Sequence, residues 1–121
     1  MRVLVVDDSR VSRLMSKTFI QHLRPGAEVV EAADARQALA LVDSGQAFDL
    51  AILDINMPGM NGLELAAELR PRTPSMRIAM LSANFQEANR QRAEQLAVGF
   101  FRKPITEVLI GEILGAQEMA A

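Results

Sequence analysis

The chain has no cysteine, no tryptophan and no tyrosine, and it carries a single histidine. Without cysteine there are no disulfides and no thiolate metal sites, and a reducing compartment is allowed. Phenylalanine supplies the aromatic residues, 4% of the chain, so there is no tryptophan or tyrosine to stack on a flavin. Charge of one sign is not in excess: net charge is −2 with a pI near 5.4, which gives no footprint for direct nucleic-acid binding. Long hydrophobic runs are absent too, and no stretch approaches the roughly 20 apolar residues of a bilayer span. The start, Met1-Arg2 followed by a short apolar run and two aspartates, lacks the long apolar core and small-residue cleavage site of a signal peptide. The expectation is a cytoplasmic protein without membrane insertion.

What is present is enough for a core. Half of the 121 residues are hydrophobic, which suits one domain. We expect a single domain over residues 1–121, with a core of about 2–115 and a frayed small-residue tail at 116–121. Apolar runs begin near Val3, Val29, Leu50, Ile78 and Phe100, at intervals of roughly 25 residues, the length of a strand-helix unit. Several are continuous rather than alternating, as expected of strands covered on both faces of a parallel sheet. The run at Val29-Val30, flanked by Glu28 and Glu31, reads as an edge strand.

Helices fit between the strands. Ser9 is placed to cap the first, with an apolar stripe of Val11, Leu14, Met15, Thr18 and Phe19. Asp34 with Gln37 suggests a capping box for the second, ending at Gly45. Leu63, Leu65, Ala66 and Leu69 mark a third, ending near Pro71 and Pro74. Asn84 with Glu87 suggests the start of a polar fourth helix, and Thr106 the cap of a fifth whose stripe is Val108, Leu109, Glu112 or Ile113, and Leu114. The fold class is therefore α/β: a (βα)5 doubly wound sheet of five parallel strands, flavodoxin-like, in the order 2-1-3-4-5.

That order brings charged residues together. Val3–Val6 leads into Asp7-Asp8, Leu50–Leu53 into Asp54, and Phe100–Arg102 into Lys103-Pro104. Strands 1 and 3 flank the topological switch point, where ligands bind at the carboxyl ends. Carboxylates crowded in water-poor space require a cation, and this hard-oxygen set suits Mg2+ or Mn2+. The turn-rich segment after Asp54 offers the Asn56 backbone carbonyl as a further ligand. Ser82 ends the fourth run and places a hydroxyl on the same edge. A cis bond between Lys103 and Pro104 would turn the lysine ammonium back towards the acids.

These motifs, taken as a set, resemble the response-regulator receiver domain of the chemotaxis-regulator type. They are Asp7-Asp8, Asp54-Ile55-Asn56-Met57-Pro58-Gly59-Met60-Asn61-Gly62, Ser82-Ala83 and Lys103-Pro104, and the likeness covers nearly the whole chain. The resemblance implies a two-component phosphorelay. Asp54 would accept a phosphoryl group from a histidine kinase or phosphotransfer protein. Asp8 would bind Mg2+ directly, Asp7 through water, and the Asn56 carbonyl would complete the protein ligands. Lys103 and Ser82 would contact the phosphoryl group, and Phe100 would be the switch aromatic. Asn56 and Asn84 would tune loss of the phosphoryl group. A downstream partner would meet the face of the fourth helix, fifth strand and fifth helix, with Arg90, Arg92, Arg102, Glu107 and Ile110 as candidates. Phe100 lacks the hydroxyl of a tyrosine, which excludes a partner that bonds to one.

Alternatives are a receiver that acts by interaction alone, and a piece of a larger regulator or hybrid kinase. Enzyme readings fit poorly. An aspartyl phosphatase would want an acid where Asn56 stands, and a dinucleotide or flavin protein would want a Gly- or Ser/Thr-rich phosphate loop after the first strand. His22 reads as a surface helix residue. Met57, Met60, Met76 and Met80 read as packing residues, and Arg70, Arg72 and Arg77 as a solvated turn.

Overall fold

The computed structural model describes residues 1–84 and 86–119, with side-chain surroundings through residue 115. Strands and helices alternate: β1 Arg2–Val6, α1 Arg10–Leu23, β2 Glu28–Ala32, α2 Ala35–Asp43, β3 Leu50–Asp54, α3 Gly62–Arg72, β4 Arg77–Ser82, α4 Glu87–Gln95, β5 Gly99–Arg102 and α5 Glu107–Met119. The sheet order is β2-β1-β3-β4-β5, all parallel. β3 is buried at every position, and β1 and β4 at all but the first. This is why their sequences are continuously apolar. The edge strands β2 and β5 are half-exposed.

Because successive side chains of a strand point to opposite faces, each central strand feeds two cores. Leu4, Val6, Ala51, Leu53, Ile78 and Met80 face Ala38 and Val42 of α2, Leu65, Ala66 and Leu69 of α3, and Ala93 of α4. Val3, Val5, Leu50, Ile52, Ala79 and Leu81 face Ile20 of α1 and Leu109, Ile110, Ile113 and Leu114 of α5.

Capping follows the sequence in most places. Ser9 accepts from the Ser12 amide at 3.2 Å, Asp34 from Gln37 at 2.8 Å and Thr106 from Leu109 at 3.1 Å. Gly45 follows α2 with φ of 92°, where a side chain would strain the backbone. Asn61 and Glu64 make a full capping box at α3.

Four expectations are corrected. α1 is rotated: Ser16 and Ile20 are buried, with Phe19 and Leu23 packed beside them, while Val11 and Leu14 are exposed and Met15 is at 38%. The helix carries two stripes, and the one with the small Ser16 lies against the sheet. α5 is rotated similarly, with Val108 73% exposed and Ile110 fully buried, so Ile110 belongs to the core and not to a partner face. α4 begins after Gln86, which makes no side-chain cap; Asn84 is held in a turn with Ser82 instead.

Arg70 is the fourth correction. It clamps the loop before β5, donating to the carbonyls of Leu96, Met76 and Ala97 at 3.1, 2.7 and 3.0 Å. α5 runs as a helix through Met119; of the tail expected at 116–121, Ala120 and Ala121 lie outside the described residues.

Candidate functional site

β1 and β3 are neighbours, with Val6 opposite Leu53, so Asp7 and Asp54 leave the sheet at the same edge. Both are nearly buried, 3% and 5% exposed, and Asp8 is exposed. One carboxylate oxygen from each of the three lies within 4.8 Å of the others. Among the described residues, one cation makes ion pairs with them. Lys103 Nζ is 3.2 Å from Asp54 Oδ1 and 3.4 Å from Asp7 Oδ2, and the Lys103–Pro104 bond is cis.

Asp7 is held on all sides. Its amide donates to the Ala32 carbonyl at 3.2 Å, Oδ1 accepts from the Ser9 amide at 2.9 Å, and Oδ2 faces Lys103. Asp54 is held less tightly, with a long 3.4 Å bond from the Asn56 amide. Burial raises the Asp54 carboxyl pKa above the ordinary carboxylate value, and the Asp7 charge raises it further; Lys103 works in the opposite direction.

The close approach of α3 shapes the back of the site. Gly62, the first residue of α3, lies so near β3 that an added Cβ would stand 2.4 Å from the Asp54 carbonyl oxygen and 2.7 Å from Met80 Sδ. Only glycine fits there.

Asp7, Asp8, Asp54 and Lys103 thus converge. Ser82 sits at the end of β4, buried, and its main-chain carbonyl accepts from the Lys103 amide at 2.9 Å. Its hydroxyl is turned into its own loop, donating to the Asn84 carbonyl at 2.5 Å and accepting from the Asn84 amide at 3.2 Å. Phe100 is half-buried on β5 against the α2–α3–α4 core, in register with Met80. Asn56 and Asn84 are exposed. His22 is exposed as expected, and its ring nitrogen is 2.8 Å from Glu107. Sequence reasoning missed Arg13, Gly62 and Arg70. For Gly62 the signal was its place at the end of the turn-rich segment after Asp54; for Arg13 and Arg70 there was none beyond their charge.

The sequence model of the response regulator receiver domain matches residues 3–114. The chain belongs to this family. Among curated relatives, it is 37% identical over 106 residues to the glycerol metabolism activator of Pseudomonas putida, covering 84% of this chain and 47% of that protein. It is 39% identical over 105 residues to the sensor protein EvgS of Escherichia coli, covering 86% of this chain and 8% of that protein. The chain therefore spans less than half the length of these relatives.

Among solved structures, the chemotaxis protein CheY4 of Vibrio cholerae superimposes with a TM-score of 0.86 at 32% identity, covering 95% and 96% of the two chains. The response regulator protein TrrA of Thermotoga maritima, in complex with Mg2+-BeF, gives 0.83 at 31% identity over 96% and 97%. The receiver is a signalling domain of two-component systems rather than an enzyme of ordinary turnover. Among the described residues, no helix is long and apolar enough to cross a membrane.

Proposed function

We propose that this receiver is a phosphoacceptor, with Asp54 as the residue modified. The observation that carries the reading is the setting of Asp54: nearly buried, 3.2 Å from Lys103, with two further carboxylates within 4.8 Å. Three acids against one lysine leave an excess of negative charge, and their hard oxygens fit Mg2+ or Mn2+. Asp7, Asp8, Asp54 and the Asn56 carbonyl would hold that ion. Once bound, it supplies neutralisation of the oxygens of an incoming phosphoryl group.

The remaining chemistry belongs to the chain. The Asp54 carboxylate forms an O–P bond as the N–P bond of a donor phosphohistidine breaks, the electron pair staying with the imidazole. Lys103, already beside Asp54, offsets charge on the transferred group. Ser82 exchanges its bond to Asn84 for one to the phosphoryl oxygen, and Phe100 follows inward. This is a local contact change that biases a two-state element. Asn56 and Asn84, both exposed and uncharged at the rim, govern the approach of water and hence the lifetime of the phosphorylated state.

The phosphodonor is a histidine kinase or phosphotransfer protein. It docks on the side where Val11, Leu14 and Met15 are exposed, next to a cleft lined by Ser12, Met15, Lys103 and Pro104, of which Lys103 also faces Asp54. The downstream partner meets the α4–β5–α5 face, where Val108 is an exposed apolar residue and Arg90 is already paired with Glu87 and Glu94. We place the domain in the cytoplasm, where such donors are found.

Titration with beryllofluoride and Mg2+, followed by amide spectra, tests the reading. Saturable shifts at Asp54, Ser82 and Phe100 in the wild type, absent in Asp54→Asn, are expected. Shifts confined to scattered surface amides would refute it.

A further inference from the structure

We propose that Arg13 is a positioning residue for the cation site, acting through the main chain between Asp7 and Asp8. This rests on the reading of the acidic cluster as a Mg2+ site. Arg13 lies on the inward face of α1, in line with Ser16 and Ile20, and its side chain is only 14% exposed. Its Nη1 donates to the Asp7 carbonyl oxygen at 2.6 Å and its Nε to Glu31 Oε1 at 3.1 Å. Glu31 precedes Ala32 on β2, whose carbonyl accepts from the Asp7 amide. One guanidinium thereby ties the first turn of α1 to the ends of β1 and β2.

The consequence falls on Asp8. The Asp7 carbonyl and the Asp8 amide share one planar peptide unit, so holding the oxygen fixes the plane from which Asp8 starts. Among the described residues nothing bonds the Asp8 carboxylate, in contrast with Asp7. The position of Asp8 within reach of the other two acids is therefore set by its backbone, which Arg13 holds at the Asp7 carbonyl and the Asp7 carboxylate holds at the Ser9 amide. Glu31 fixes the rotation of the guanidinium and balances its charge.

The sign of the effect separates positioning from simple electrostatics. Removing a positive charge near an anionic site strengthens Mg2+ binding if charge alone matters. Loss of positioning weakens it, by about 10-fold or more where an outer partner orients a ligand.

The experiment is a Mg2+ titration of the full chain followed by amide shifts of Asp7–Ser9 and Asp54–Asn56, for wild type, Arg13→Met and Arg13→Lys. Arg13→Met is expected to raise the Kd about 10-fold while keeping a folded amide spectrum without Mg2+. Should that variant not fold, Arg13→Lys, which keeps the charge and loses the two-pronged donor, is expected to raise the Kd severalfold. A Kd at or below the wild-type value in a folded Arg13 variant overturns the assignment of Arg13 alone. A wild type with no saturable shift overturns the cation reading beneath it.

Discussion

Lys103 is the only cation facing two nearly buried carboxylates among the described residues, and replacing it with the similarly shaped Met isolates its charge. The contacts at 3.2 and 3.4 Å are each worth roughly 5 kcal/mol in gross Coulomb energy at an effective dielectric of about 20. Desolvation of the three groups takes back most of that. Breaking such a cluster from one side costs about 3–5 kcal/mol when the charges left behind are fully buried. Here the lysine side chain is 21% exposed and the carboxylates 4% and 6%, so water screens the pair in part.

The net expectation for Lys103→Met, near neutral pH with a chelator present, is a loss of about 2–3 kcal/mol. That corresponds to a melting temperature lower by roughly 10 °C for a domain of this size. The loss should shrink under acid, where the carboxylates are protonated, and in millimolar Mg2+, where a second cation takes over. The assay is thermal unfolding followed by circular dichroism under the three conditions. A variant that melts with the wild type in chelator, or that loses the same stability in acid as at neutrality, refutes the reasoning.

Two further outcomes are expected. Gly62→Ala places a Cβ 2.4 Å from the Asp54 carbonyl oxygen. It should destabilise by about 1–3 kcal/mol although alanine is the better helix former; an unchanged or higher urea midpoint would contradict this. The pKa of Asp54 is raised in the fold, so the folded state binds that proton more tightly than the unfolded chain. Stability without metal must then fall as pH rises from the unfolded carboxyl value through the folded one. Asp54→Asn should flatten that part of the profile and be the more stable protein at neutral pH. An Asn variant with the same slope and lower stability would show that the carboxylate is not under strain.

Much of the architecture was legible because buried parallel strands are continuously apolar and end in charged residues where the sheet ends. Given five such strands, right-handed crossovers bring Asp7, Asp8, Asp54 and Lys103 to one edge. Helix rotation was not legible. α1 has apolar residues at Val11, Leu14 and Met15 on one side and at Phe19, Ile20 and Leu23 on another, and hydrophobicity alone does not choose between them. Its phase is tied by Arg13, whose partners are an Asp7 carbonyl and a residue on β2, a long-range contact that no local pattern carries. Val108 and Ile110 exchanged roles for a similar reason. Asn84 had the chemistry of a helix cap, but the Ser82 hydroxyl competes for its backbone, and α4 starts without one. Arg70 looked like a turn arginine because its three carbonyl partners lie just before β4 and after α4.

The most direct test of the phosphoacceptor reading is intact mass after incubation with a small-molecule phosphodonor, with and without Mg2+, for wild type and Asp54→Asn. The expected result is a single phosphoryl adduct on the wild type, dependent on Mg2+ and absent from the variant. An adduct that persists in Asp54→Asn, or none on a wild type that binds Mg2+, would contradict it.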